Sequence, residues 1–344
     1  MLIRNSWYVA AWSSEVDSSR PLGRTILDEP IVMFRTENGV LVALEGRCAH
    51  RRMPLSHGKI VGDTLACCYH GLAYDSTGQC VRIPGQSAAP TNIGVRSYPV
   101  VERYGAVWLW MGDPALADET KIFNCHLLDR EGTRGHKFYY YVKANYLYLN
   151  DNLSDLLHQA YLHNPSFGGN THSLGETIPA VYDKDGQIQV HWDWDSVPVP
   201  GIFGEFGKIS GPGDGWNHST YEPPSFYINS VGFADVGTGK ANSSRPQGAG
   251  KLSFTVHQLI TPETARTTHF FKIVHCDWPA ELLPKLKVFI DDVNEEDVWA
   301  CEEQQRMEDV NPASPMSTIP TDKAVVEMRR ILARMQQDDT RLSR

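Results

Sequence analysis

The stretch CAHRRMPLSHGKIVGDTLACCYHG, residues 48–71, carries Cys48, His50, Cys67 and His70 as two short clips, C-x-H and C-x2-H, with sixteen residues between them. Each clip offers one soft thiolate and one borderline imidazole. Two such turns facing each other make a four-ligand site. It suits zinc, or a two-iron cluster in which two histidines replace two cysteines on one iron. Zinc fingers pair like with like, cysteines in one clip and histidines in the other; this pattern does not. Gly46, Gly58, Gly62 and Gly71 flank the clips and permit close backbone approach, and Pro54 stiffens the covering loop. Cys68 also makes C-x-H with His70, so spacing alone leaves the second thiolate open. His57 lies outside both clips and reads as an ordinary polar loop residue.

Around this stretch the chain is strand and turn. EPIVMFR (29–35), GVLVALE (39–45), QCVRIPG (79–85), RSYPVVER (96–103) and AVWLWMG (106–112) are β-branched or aromatic, bounded by Gly, Pro, Asn and Asp. Asn38-Gly39 marks a hairpin turn between the first two. No long helical period occurs before residue 115, so the N-terminal part reads as a small all-β unit. GDPALADET (112–120) is a polar connection and a plausible boundary. Beyond it, 137–149 reads as a strand leading into a helix over 150–163. A weakly patterned middle follows. Antiparallel strands are expected in PSFYINSVGF, KLSFTVHQLITP and TARTTHFFKIVHC, with a Gly/Ser/Asn loop at 234–250. Residues 281–310 and 323–340 carry helical periodicity. The expectation is an α+β protein: an all-β domain, then an antiparallel sheet with helices.

NDNLSDLLHQAYLHNP (150–165) holds a second constellation. His158 and His163 are five apart, about 140° off one helical face. Both reach one metal only if the helix widens or unwinds before His163, and Pro165 biases Asn164 out of the α region. Asn152, Asp155 and His158 are spaced by three and share a face on a continuous helix. There Asp155 is placed to accept the free N–H of His158. Two imidazoles and one carboxylate form the facial triad of non-haem Fe(II) oxygenases. Spacing does not choose the carboxylate among Asp291, Asp292, Glu295, Glu296 and Asp297.

CAHR followed by CCYHG resembles the Rieske pattern, and residues 150–163 resemble the D-N-x2-D-x2-H-x4-H segment of Rieske non-haem iron oxygenases. NSWYVAAW, PLGRTI and VVERYGAVWLWMGDP extend the likeness over nearly the whole chain. They point to the subgroup of vanillate and dicamba O-demethylases and toluenesulfonate methyl-monooxygenase. The resemblance implies a Rieske [2Fe–2S] domain over 1–117 and a helix-grip catalytic domain over 118–344. Cys48 and Cys67 would bind one iron of the cluster, His50 and His70 the other. His158, His163 and Asp297 would hold mononuclear iron, with Glu302 downstream matching the family pattern. Asp155 and Asn152 would be catalytic positions, Asp155 by bridging to His70 of a neighbouring subunit and Asn152 by lying near the iron. The implied activity is that of an iron–sulfur oxidoreductase of aromatic hydrocarbon catabolism. As a homotrimeric monooxygenase or demethylase, it would use O2 to hydroxylate or O-demethylate a small aromatic acid. The same metal centres could instead cis-dihydroxylate a ring. No G-x-G-x-x-G lies between a strand and a helix, so NAD(P)H would act through a separate reductase, with or without a ferredoxin. Rivals from other classes are a non-catalytic Rieske electron carrier and a zinc-stabilised binding module.

Composition sets outer bounds. The chain has 344 residues and a formal net charge of −9, which gives no electrostatic footprint for nucleic acid or anionic membrane. No apolar run is long enough to span a bilayer, and the first residues lack a signal-peptide core. Seven cysteines, an odd number in a large chain, argue against a disulfide scaffold and for the reducing cytoplasm. An anionic substrate in a pocket needs a donor, and His257 or His275 on the late strands, or Asn229, could serve.

Overall fold

The computed structural model describes residues 2–88, 91–125, 134–169, 171–184, 186–238 and 250–342. Most of the loop expected at 234–250 lies outside them. The chain folds as two units, Met1–Asn124 with Thr261–Ala265, and Cys125–Ile260 with Arg266–Arg344. No helix among the described residues is long and apolar enough to cross a membrane.

The first unit is all β, as its strand and turn chemistry predicts. β1 (Ser6–Trp12), β9 (Val100–Arg103) and β10 (Ala106–Met111) form one sheet, and β2 (Leu22–Ile26), β3 (Glu29–Arg35) and β4 (Leu41–Glu45) another. Gly39, at φ +81, closes the β3–β4 turn by donating its N–H to the Thr36 carbonyl at 2.9 Å. A third, four-stranded sheet runs through β5 (Lys59–Val61), β6 (Thr64–Ala66), β7 (Ala73–Tyr74) and β8 (Cys80–Arg82). One clip follows β4 and the other joins β6 to β7. Both thiols sit in an apolar cluster with Val32, Phe34, Leu44, Leu55, Leu65 and Tyr74. Gly46 and Gly58 serve chain-to-chain packing here. A Cβ on Gly46 would stand 3.1 Å from the Pro30 carbonyl, and one on Gly58 only 2.5 Å from that of Ala66.

The second unit is a seven-stranded antiparallel sheet: β11 (Arg134–Val142), β17 (Thr268–Cys276), β16 (Lys251–Pro262), β15 (Phe226–Asp235), β14 (Pro212–Glu222), β13 (Gln187–Pro198) and β12 (Ala180–Lys184), in that spatial order. β12, β13 and β14 occupy the middle region that looked weakly patterned. In β13 the alternation is plain once the turns are known. Ile188, Val190, Trp192 and Trp194 point into the core, while Asp193 is exposed. The helices are α1 (Tyr146–Ser154), α2 (Gly201–Gly207), α3 (Leu283–Val310) and α4 (Lys323–Leu342).

α3 buries a stripe at i, i+3, i+4 spacing: Leu286, Ile290, Asn294, Asp297, Cys301 and Gln305, with Phe289 beside it. The stripe is apolar at its start and turns polar at Asn294. Gln305 has a structural use, accepting the N–H of Asn145 at 2.9 Å, but a carboxylate buried as Asp297 is marks where chemistry sits. α3 is anchored to β11, where the Tyr140 hydroxyl donates to Asp291 Oδ1 at 2.7 Å.

Candidate metal centres

The two clips of the first unit are built alike. The N–H of Arg52 donates to the Cys48 carbonyl at 2.8 Å, and the Cys48 N–H to Met53 O at 2.9 Å. Nineteen residues on, Gly71 N–H donates to Cys67 O at 2.9 Å, and Cys67 N–H to Leu72 O at 2.8 Å. Each loop closes on a left-handed residue, Arg52 at φ 58 and Gly71 at φ 72. At Gly71 a Cβ would also meet Pro84 Cγ at 2.9 Å. Arg52 holds the same conformation with a side chain, a strain of the kind found where structure over-determines a turn.

Cys48 and Cys67 are each 3 % exposed and are buried in the same apolar cluster. Cys68 is exposed, so Cys67 is the thiol that faces Cys48. His50 and His70 lie on the exposed side, ring centroids 4.6 Å apart. Paired thiols inside and paired imidazoles outside are the donor set that a two-iron cluster with mixed ligation requires. The Tyr74 hydroxyl lies 3.1 Å from Cys48 Sγ and accepts the Ala49 N–H at 3.1 Å. Burial pushes the Cys67 thiol up, so without a cation it stays protonated at neutral pH. His57 ends a short turn, Leu55–His57, outside both clips.

In the second unit the strand expected over 137–149 ends at Val142, α1 begins at Tyr146, and it stops at Ser154, inside the continuous helix expected over 150–163. Asp155 is extended, at φ −94 and ψ 97, and its carboxylate accepts the Leu157 N–H at 2.9 Å, starting a new turn over Leu156–Ala160. An aspartate side chain competes with the helix for backbone N–H groups, which explains a break there. The break corrects one expectation. His158 Nδ1 lies against the Asp155 backbone carbonyl, and the carboxylate of Asp155 is engaged elsewhere. It also achieves what the five-residue spacing demanded. The chain unwinds, and both imidazoles turn to one point.

His158 Nε2 and His163 Nε2 are 3.2 Å apart, and Asp297 Oδ1 lies 3.4 Å from the first and 3.2 Å from the second. His163 and Asp297 are 1 % and 3 % exposed. Among the described residues these three form the one His/Cys/Asp/Glu group whose ligand atoms converge on a single point. Both imidazole Nδ1 atoms face acceptors, the Asp155 carbonyl and Glu296 Oε2, the latter at 2.8 Å. Nδ1 therefore carries the proton in each ring, and both Nε2 lone pairs aim at the same carboxylate oxygen. That arrangement is repulsive without a cation. It also fits one, because bonds of about 2.0–2.2 Å at right angles set ligand atoms about 3 Å apart. Asn152 Nδ2 donates to Asp297 Oδ1 at 3.0 Å, and Ser166 Oγ to Glu296 Oε2 at 2.9 Å.

Burial works against charge on both partners here. It is outweighed on Asp297 by the facing imidazoles, which hold its carboxyl well below the usual range. Burial likewise opposes the His163 imidazolium, yet Asp297 and Glu296 lift it to about 9. A proton thus fills the place that a divalent cation takes. Glu296 was one of five carboxylates on its helix that spacing could not separate. Its adjacency to Asp297 put it beside the ligand, but only the fold turns it onto His163.

Asn152, Asp155 and His158 open onto a cleft of 670 Å³ bounded by Ala300, Val326 and Arg329. Burial pushes the Asp155 carboxyl up, against the pull of His158. His163 meets Phe167 at a tilt, ring centroids 5.9 Å apart, and Phe167 leads to Phe203 and Phe289. His257 and His275 are buried with ring centroids 5.2 Å apart, and Asn229 Oδ1 accepts from Gln258 Nε2 at 2.7 Å.

Known proteins carry the same pieces. Residues 6–99 match the Rieske [2Fe-2S] domain and residues 142–338 the vanillate O-demethylase oxygenase C-terminal domain. The chain is 34 % identical over 342 residues to the toluene-4-sulfonate monooxygenase system iron-sulfur subunit of Comamonas testosteroni, covering 97 % of each. It is 39 % identical over 278 residues to the dicamba O-demethylase oxygenase component of Stenotrophomonas maltophilia, covering 78 % of this chain and 77 % of that one. The crystal structure of dicamba monooxygenase bound to 3,6-dichlorosalicylic acid superposes with a TM-score of 0.86 at 32 % identity, covering 98 % of both chains. The all-β unit with two C/H clips and the helix-grip unit with a buried two-histidine, one-carboxylate group therefore belong to one established plan: this chain is a member of the Rieske non-haem iron oxygenases, as an oxygenase component with a [2Fe–2S] domain and a mononuclear iron domain.

Proposed function

We propose that the protein is the terminal monooxygenase of a small-aromatic-acid pathway, acting on a methyl or methoxy substituent. The observation that carries this reading is the convergence of His158, His163 and Asp297 Oδ1 within 3.4 Å of one another beside an aromatic cluster of Phe167, Phe203 and Phe289. With a methoxy substrate the balance is one O2, two electrons and two protons in. Out come the phenol, formaldehyde and one water. In domain terms, residues 1–117 serve electron storage and 118–344 the chemistry.

Non-haem Fe(II) on His158, His163 and Asp297 supplies O2 activation, because a facial triad leaves coordination positions open. The [2Fe–2S] cluster on Cys48, His50, Cys67 and His70 supplies one-electron storage at a potential raised by imidazole ligation. The protein's own groups hold the geometry. Glu296 and the Asp155 carbonyl fix both imidazole tautomers, with Nε2 free. Asn152 pins one oxygen of Asp297, limiting how that carboxylate swings. Phe167, Phe203 and Phe289 exclude water and accept a ring face. Asp155, in the cleft, couples His158 to His70 of a neighbouring copy, in a homotrimer arranged head to tail. Electrons come from NAD(P)H through a separate cytoplasmic reductase, directly or by way of a ferredoxin.

The test is a panel of methoxylated and methylated benzoates and benzenesulfonates with a surrogate reductase. Stoichiometric formaldehyde or hydroxymethyl product, with one atom of ¹⁸O2 in the organic product, is expected. A product holding both atoms of one O2 would move the assignment to ring dioxygenation.

A further inference from the structure

The face of the sheet that meets α3 carries a row of buried polar side chains that the metal centre does not use. Phe254 packs against Phe289 of α3 at 6.0 Å, so it marks that face on β16. Strand alternation puts Val256 and Gln258 on the same face. Registered pairs carry it onward: Val256 opposite Asn229, Asn229 opposite Ser219, and Val231 opposite Asn217. On β17 the residue turned to α3 is Lys272, whose Nζ contacts Asn294 Oδ1. All these polar residues are 5 % exposed or less.

Lys272 stands apart among them. It is 4 % exposed, and the partners of its ammonium are neutral: the Asn294 amide and the face of Phe270, 4.9 Å from the ring centroid. The carboxylate that acts on it is Asp297, which the metal would claim. Burial pulls Lys272 down to about 8. Ammonium groups are almost never buried without a counter-charge, since desolvation is not repaid by an amide. Asn294 is itself held by the Tyr140 hydroxyl at 3.0 Å, so the amide that carries the ammonium is fixed in place. Two more atoms on this face, Gln258 Oε1 and Asn217 Oδ1, are buried with no hydrogen-bond partner. Such orphans are rare in a packed core and ordinary in a ligand site.

We propose that Lys272 is the anion anchor of the substrate site, its ammonium pairing with the carboxylate or sulfonate of a small aromatic substrate. The inference rests on the oxygenase reading above and names the residue that selects substrate charge. Asn294 and Asp297 are three residues apart on one face of α3, so their positions differ by about 4.5 Å along the axis. An anion held at Lys272 therefore leaves the opposite end of a single ring toward the iron ligands. The orphan acceptor Gln258 Oε1, on the strand next to that of Lys272, suits a hydroxyl donor on the ring. In an apolar site, a neutral isostere leaves the ammonium unpaired, and that is what rejects it.

The test uses the iron-loaded holoenzyme with 4-methoxybenzoate and its neutral isostere 4-methoxybenzamide, read by calorimetric binding and by KM and kcat. Lys272→Met is expected to weaken the acid by about 30-fold or more in Kd and KM. The amide should shift less than about threefold, and Lys272→Arg should restore preference for the acid. Ligand-free Lys272→Met should melt no lower than wild type, because it removes a buried charge that has no counter-charge. Equal loss for acid and amide, or charge preference surviving in Lys272→Met, overturns the anchor. So does wild-type protein that binds no member of a panel of substituted benzoates and benzenesulfonates. Acid binding that depends on Lys272 without O2 consumption would leave the anchor standing and sink the oxygenase reading. Normal formaldehyde release by Lys272→Met with acid preference intact would do the reverse.

Discussion

At the scale of single residues, a ligand site is specified as much by what orients the ligands as by the ligands. His163 is useful to iron only with Nε2 unprotonated, and Glu296 enforces that by accepting the Nδ1 proton at 2.8 Å. Glu296 is in turn held by Ser166. Replacing Glu296 with Gln keeps size and polarity and removes the charge. Loss of such an outer partner costs about 10- to 100-fold in metal affinity. Glu296→Gln is thus expected to lose mononuclear iron on dialysis against a chelator while the visible spectrum of the cluster is unchanged. Iron retention equal to wild type would show that Glu296 is only a surface carboxylate. The sequence made the candidate metal-binding side chains legible because C-x-H, C-x2-H and H-x4-H are local spacings. Asp297 needed family likeness, since five carboxylates on one helix have equal claims by spacing. Glu296 and Lys272 were illegible in those terms. Their partners lie on other elements, Glu296 meeting His163 at a separation of 133 residues and Lys272 meeting Asn294 across the sheet–helix interface.

At the scale of elements, strands and helices bounded by strong turn or cap chemistry were readable, and those shaped by tertiary contacts were not. EPIVMFR and KLSFTVHQLITP are strands end to end. β13 and β14 were missed because their surroundings are rich in Gly and Pro and because histidine, aspartate and serine interrupt the apolar positions. α1 stops short because Asp155 diverts the backbone, which periodicity cannot register. The start of β3 offers a test of how one side chain ties elements together. Glu29 takes Arg4 at 2.5 Å, Arg96 at 3.4 Å and the Tyr98 hydroxyl at 2.6 Å. Burial would raise its carboxyl, but the Tyr98 hydroxyl and the two guanidinium groups outweigh that and hold it below the ordinary value of 4.5. A depressed acid binds fewer protons folded than unfolded, so its stabilisation is present above the unfolded value and is lost as pH falls through the folded one. Glu29→Gln should therefore melt lower than wild type at pH 7, by about 1 kcal/mol in stability. The gap should narrow steadily below about pH 4.5. Melting curves of the two proteins that stay parallel down to pH 3 would mean that Glu29 contributes through shape alone.

At the scale of the whole molecule, one chain holds two redox sites with different ligand logic, and the open question is which copy's cluster serves which iron. His50 and His70, the imidazoles proposed to hold the cluster, are solvent-exposed, as groups that pass electrons to another surface must be. Asp155 and His158 open onto a cleft. On the proposed head-to-tail trimer these surfaces meet between copies. Asp155→Asn retains the acceptor that caps Leu157 N–H, so both metals should stay bound while turnover nearly ceases. His70→Ala should lose the cluster and keep the mononuclear iron. Neither variant works alone, yet in a mixed trimer each supplies what the other lacks. The working pair is a cluster from the Asp155→Asn chain facing an iron domain from the His70→Ala chain. With random assembly from equal amounts, one interface in four has that order, so co-expressed, dual-tagged protein should regain about a quarter of wild-type turnover. Electron transfer within a single chain predicts none, because every chain then carries one broken half. Turnover at the level of the single variants in verified mixed trimers would end the intersubunit route, whatever the activity of the wild type.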